Sequence, residues 1–130
     1  MIEIFIMDGK TWDITVEAIE QQGAVTDTDK STRTLSGKMN RDIIGTFYNY
    51  SMTVSPKNNN YAEFDAFYTA ITSPIESHSV SFPHNQSMLN FEAYVTTANR
   101  PLKKMTENYN RWGQMTVNFI AMSPQIPFGG

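Results

Sequence analysis

The residues from Ile44 to Val54 constrain this chain more than any others. Ile44, Thr46, Tyr48, Tyr50, Met52 and Val54 fall on one side of an extended backbone, and Gly45, Phe47, Asn49, Ser51 and Thr53 on the other. A period of two, held that long in side chains rich in β-branched and aromatic types, predicts a long half-buried strand. The stretch from Arg33 that leads into it is different material. Thr34, Ser36, Gly37, Lys38, Asn40, Arg41 and Asp42 are polar, and only Leu35 and Met39 could be buried. A strong central strand is therefore expected to be fed by a long, charged arm.

Read in order, Ile2, Ile4 and Ile6 alternate with Glu3 and Phe5 as a short first strand. Asp8-Gly9 predicts a tight hairpin, because a type I′ turn needs positive φ at both central positions. Trp12, Ile14 and Val16 read as the return strand, with a bulge expected where the alternation slips near Ala18 and Ile19. After the central strand, Asn60 with Glu63 is a candidate helix cap. Tyr61, Phe64, Phe67, Tyr68 and Ile71 recur at helical spacing until Pro74, so a single helix of about three turns should lay an aromatic stripe on the sheet. His78, Val80 and Phe82 then alternate with serines. A turn through His84-Asn85-Gln86-Ser87 leads to a strand carrying Leu89, Phe91, Ala93 and Val95, and Met115, Val117, Phe119 and Ala121 form the last strand. Pro124 and Pro127 should prevent further sheet and leave 123–130 as a loose tail. The expectation is a single domain over 1–130 of mainly β (α+β) class: a β-sandwich or curled antiparallel sheet with one packed α-helix.

Two segments lack periodicity. From Gln22 to Arg41 the chain is punctuated by Gly23, Asp27, Asp29, Ser31, Ser36 and Gly37, and structureless loops of that length are uncommon in compact domains unless they are functional or disordered. One reading is a floppy hairpin tip. The other is an extended arm, 22–41, ordered against a neighbouring subunit, with Val25, Leu35 and Met39 as apolar anchors and Arg33, Lys38 and Arg41 among its charges. The second segment, Ala98 to Arg111, holds Arg100, Lys103, Lys104 and Arg111 against the single acid Glu107. Such a cluster, with Tyr109 and Trp112, could track a nucleic-acid backbone, but it more often makes a solvated turn or the complement of an acidic neighbour. The candidate subunit-interface residues are thus Val25, Arg33, Leu35, Lys38, Met39, Arg41, Arg100, Lys103 and Lys104.

Composition narrows the chemistry. A formal net charge of -3 argues against a general nucleic-acid binder. No cysteine is present, which removes disulfides and thiolate metal sites. No apolar run has membrane-span length, and the acidic start MIEIFIMDGK is unlike a signal peptide, so a soluble product made in a cytoplasm is expected. Only 18% of residues are charged, against eight methionines, eight phenylalanines, six tyrosines and two tryptophans, which suggests surface meant to be covered. His78 and His84 are too few for zinc, which wants three or four ligands. Asp27-Thr28-Asp29 alone would not hold magnesium without a substrate phosphate. No nucleophile elbow or phosphate-binding glycine loop occurs. No catalysis, metal or cofactor is expected.

The segment RTLSGKMNRDIIGTFYNYSMTV resembles a family of small proteins encoded among the tail and structural genes of phages and prophages of Gram-positive bacteria. The pattern is carried by Arg33, Gly37, Arg41, Asp42, Gly45 and Thr46, with an early Gly-Lys-Thr-Trp at Gly9 to Trp12 and a late Trp112-Gly113 before the final strand. The ending FIAMSPQIP departs from it, which leaves the position along the tail open. The resemblance implies a tail-tube- or adaptor-like virion protein: a β-sandwich-like body, a flanking helix and a long loop reaching the adjacent ring. It also implies a homo-oligomeric ring or tube in the phage tail, partnered by other tail proteins and made in the host cytoplasm. The alternative is a carbohydrate- or host-receptor-binding module of a tail tip, since exposed tyrosines and tryptophans also line sugar sites.

Overall fold

The computed structural model describes residues 5–27, 32–33, 39–40 and 42–127, with the backbone alone at 32–33 and 39–40. Its elements are β1 (Ile6–Met7), β2 (Lys10–Thr11), β3 (Ile14–Asp27), β4 (Thr32–Arg33), β5 (Met39–Asn40), β6 (Ile43–Pro56), α1 (Tyr61–Ile71), β7 (His78–His84), β8 (Ser87–Asn99), β9 (Leu102–Met105), β10 (Asn110–Trp112), β11 (Met115–Ala121) and β12 (Ile126–Pro127). Among the described residues the fold is mainly β, with antiparallel pairing throughout and one short helix.

The main sheet runs β3-β6-β11-β8-β7-β1-β2, with β12 beside β6 beyond the end of β11. β2 and β3 lie at opposite ends of this order, yet only Trp12 and Asp13 separate them in sequence. Three peptide units reach at most roughly 11 Å. The sheet must therefore roll until its two ends meet. Ring contacts across the interior record that closure: Phe5, beside β1, lies 5.7 Å from Phe119 on β11, its non-neighbour in the strand order. Tyr50 of β6 stacks on Phe82 of β7 at 4.2 Å, again across the roll.

The alternation in β6 sets what fills this interior. Tyr50, Met52 and Val54 are buried, Tyr48 is half-buried, and Ile44 at the far end is exposed. Helix α1 lies against the same core through Phe64, Phe67 and Ile71. It starts where the sequence places it, with the Asn60 side chain accepting the Glu63 backbone N–H at 3.2 Å. Glu63 does not reciprocate to Asn60; its carboxylate pairs with Lys10 at 3.1 Å. Asp8 and Gly9 both take positive φ, and Ile6↔Thr11 with Met7↔Lys10 closes the expected tight hairpin. The expected bulge near Ala18 is present as a register shift between Val16 and Ala18.

Four expectations are corrected. The return strand of the first hairpin ends at Thr11; Ile14 and Val16 pair instead with Pro56 and Val54 of β6. Gln22 to Asp27, read as the unpatterned start of the arm, continue β3 along β6 as far as Asp27↔Ile43. Alternation is lost there because no core lies beneath this end to demand it. Ala98 to Arg111 holds the end of β8 and the β9–β10 hairpin. Of the tail, Ile126–Pro127 pair with Thr46 and Gly45. A proline is tolerated on so short a strand because its carbonyl still accepts. Gly45 permits this approach, since a Cβ there would stand 2.5 Å from the Ile126 carbonyl oxygen. More strands result than the five or six expected.

Phe67 is fully buried, with ring contacts to Phe5 at 5.9 Å and Trp12 at 5.3 Å. Phe67→Ala should cost about 3–5 kcal/mol in urea unfolding, the range for emptying an aromatic core position. A loss below about 1 kcal/mol would make the helix peripheral to the core.

Candidate interface surfaces and an outer-face cavity

The first candidate surface is the long β3–β6 hairpin. β11 pairs with β6 only from Tyr50 to Val54, so the outer part of the hairpin stands beyond the body with β12 as its brace. Its base is held by side chains. Gln21 donates to the Tyr50 hydroxyl at 2.7 Å and lies 2.7 Å from the His84 Nδ1. The Tyr48 ring meets His84 at 4.6 Å and covers Gly23, whose added Cβ would be 3.2 Å from the ring. Beyond that point the hairpin loses cover: Val25 is 54% exposed and Ile44 40%. Of the candidate interface residues, Val25 therefore lies on the projecting hairpin. Arg33 and Met39 pair backbone to backbone in the small β4–β5 ladder. Leu35, Lys38 and Arg41 lie outside the described residues. Along the opposite edge from β6, β3 has no strand partner among the described residues.

The basic segment divides. Arg100, expected to be an interface cation, is turned into the fold, its side chain only 10% exposed and paired with Asp65 of the helix at 2.7 Å. Its guanidinium lies 4.0 Å from the Tyr68 ring and 4.3 Å from that of Trp112. A flat, weakly hydrated cation suits that slot. Sequence alone could not separate it from Lys103 and Lys104, because the separating fact is the helix three dozen residues earlier. Lys103 and Lys104 are exposed on β9, and Lys104 faces Arg111 directly across the ladder. Leu102, Met105 and Tyr109 are exposed on the same hairpin. Arg100→Ala should cost about 2 kcal/mol or more, leaving Asp65 unpaired and an aromatic slot unfilled, whereas Lys104→Ala should stay within about 0.5 kcal/mol in the same denaturant titration.

Both histidines have partners within the fold, His84 with Gln21. His78 is buried on β7, with Nδ1 2.8 Å from the Asp8 carboxylate, a partner far off in sequence. The same carboxylate accepts the Ser79 backbone N–H at 3.1 Å. Among the described residues no group of three or more His, Asp or Glu could hold a metal ion, and of the Asp27–Asp29 motif only Asp27 is described. Among the described residues no helix is long and apolar enough to cross a membrane.

A cavity of about 310 Å³ opens on the outer face, where β11 parts from β6. The ladder stops at Phe119↔Tyr50 and resumes on β12 only at Thr46. Side chains bridge the gap: Asn49 Oδ1 accepts the Ala121 N–H at 2.9 Å, and the Gln125 amide bonds both the N–H and the C=O of Tyr48. Glu20, Gln22, Asn49, Ser51, Asn118 and Ile120 line it. Beneath lies Tyr50, whose hydroxyl donates to the Pro83 carbonyl at 3.0 Å. Burial pushes the Tyr50 phenol above its usual 10.0, the Gln21 hydrogen bond offsetting part of the rise and Tyr48 adding to it. The folded state thus holds this proton more tightly than the unfolded chain. Its contribution is complete below pH 10.0 and is lost as pH rises through the folded value. Thermal melts between pH 9 and 11.5 should fall more steeply for the native chain than for Tyr50→Phe, and parallel curves would refute this.

A scan against protein-family models finds no match for the chain, and a search of curated proteins finds no significant one.

Proposed function

We propose that this chain is a virion structural protein, a bacteriophage tail subunit that assembles into a ring or tube through its β3–β6 hairpin and the arm at its tip. The observation that carries the reading is the outer edge of β3, unpartnered among the described residues on a strand of 14 residues. An open edge of that length is a template for another chain, and monomeric proteins usually blunt one with lysine, proline or a short strand. From Ala18 to Asp27 this edge has neither lysine nor proline. A head-to-tail contact made along such an edge repeats, and it gives a ring where the rotation closes and a tube where rings stack.

The sequence resemblance supplies the setting: the residues that resemble the tail family, Arg33 to Thr46, follow β3 in sequence and lead into β6. The body supports the reading in kind, since a rolled sheet with a flanking helix gives a rigid wall element. Exposed Val25 and Ile44 supply apolar contacts, and Lys103 and Lys104 can face the acid Glu17 of a neighbour. On this reading the chain has no catalytic role and takes no cofactor.

Val25→Lys tests the edge. At a residue 54% exposed the substitution should change monomer stability by no more than about 0.5 kcal/mol while adding a charge that resists strand addition. Electron microscopy and mass photometry should find rings or tubes for the native chain and folded monomers for the variant. Deleting 26–36 should have the same effect. Normal assembly by both variants would refute the role of the hairpin.

A further inference from the structure

The cavity at the fork between β6 and β11 has a chemistry of its own. Across its floor the outward residues of β3, β6 and β11 form a row, Glu20 opposite Ser51 and Ser51 opposite Asn118, with Gln22 opposite Asn49 beside it. Asn49 is committed to the Ala121 N–H. Glu20, Gln22 and Ser51 make no side-chain hydrogen bond among the described residues, so their donors and acceptors are open to a ligand. Among the described residues no lysine, arginine or histidine lines the cavity, which disfavours anions. A lone carboxylate supplies too few oxygens for a hard cation. On one side the lining is apolar: Ile120 pairs across the ladder with Tyr94, which is 38% exposed on the same outer face.

The open Gln22 amide, the carboxamide oxygen of Asn118 (whose Nδ2 donates to the Thr97 hydroxyl at 3.5 Å), a hydroxyl and one carboxylate stand beside an aliphatic and aromatic strip. Together they suit a neutral molecule with hydroxyls on its edge and C–H groups on its face. We infer that this cavity is a saccharide-binding site, taking one or two neutral sugar units, with Gln22, Ser51 and Asn118 bonding hydroxyls and Tyr94 stacking against the ring. Its size stands at the lower end of ligand pockets, which begin at about 300 Å³, so a monosaccharide or one unit of a disaccharide fits and a long oligosaccharide would have to run out across the sheet. The site lies on the face of the sheet and the proposed assembly contact on its edge, so the two stand or fall separately.

The test is a titration of the ¹⁵N-labelled full chain with maltose, lactose and N,N′-diacetylchitobiose, with glycerol as control, following the side-chain amide signals of Gln22, Asn49, Asn118 and Gln125. A ligand this small in an open groove is expected to bind with a Kd on the order of 1 mM, so saturation should be visible by about 20 mM. At least one disaccharide should shift Gln22 and Asn118 saturably. In the Gln22→Ala/Asn118→Ala variant the response, now read on the Asn49 side-chain amide and the Ser51 backbone amide, should weaken at least tenfold, while its unchanged Gln125 amide signals report an intact fork. Tyr94→Ala should weaken binding without changing which amides respond. No saturable shift with any of the three sugars overturns the inference. So does an equal response to glycerol, or a response centred on Tyr109 and Trp112.

Discussion

The junction from Thr11 to Ile14 is the constraint on which the rest of this structure depends. It joins the last strand of the rolled sheet to the first, so every other strand must curve to let it close. Its side chains secure it to the helix. Trp12 packs edge-on against Phe67 and donates from its indole N–H to the Met7 carbonyl at 3.3 Å. Asp13 accepts from Asn60, the helix cap, at 2.7 Å. Lys10 spans Trp12, 4.0 Å from the ring, and Glu63 in the first turn. The surface ion pair adds little by itself. The buried aromatic contact and the cap bond make the junction, the helix start and the core a single packing problem.

Closing the roll this way has a cost at the other end of β3. The strand enters the body at Ile14, packs while Val16 and Ile19 lie over the core, and then continues after the core has ended. What remains is a hairpin held by Tyr48, His84, Gln21 and the short β12 rather than by a hydrophobic interior. Such a segment keeps backbone order through its ladder but exposes its apolar residues. That combination suits a surface reserved for another chain better than it suits an isolated domain.

Legibility followed the core. Where one face of an element is buried, the sequence pattern reports it: Tyr50, Met52 and Val54, or Phe64, Phe67 and Ile71, could be assigned from spacing alone. Turn chemistry was equally readable, because Asp8-Gly9 and the Asn60 cap satisfy local backbone requirements. The hairpin beyond Gly23 was not legible, since with both faces open nothing forces alternation. Nor was β12, whose ladder is completed by Gln125 acting as a side-chain mimic of a strand. Partners distant in sequence were invisible too: His78 gave no sign of Asp8, nor Arg100 of Asp65. The cavity belongs to that class, because its residues come from three strands and meet only when β11 parts from β6.

The open edge of β3 and the cavity on the outer face differ in what they ask of the fold. An edge contact draws on backbone N–H and C=O groups in the plane of the sheet, and its strength depends on how much ladder is left unpaired. A face site draws on outward side chains and needs a local opening, since a continuous ladder leaves only a flat surface. β6 supplies both, because it is paired along its whole length by β3 on one side and by two successive partners on the other. The break between those partners makes the cavity, and the length of β3 makes the edge. A chain added beyond β3 would lengthen the sheet sideways and leave the outer face of Asn49, Ser51 and Asn118 uncovered, so assembly and ligand binding could coexist in one particle.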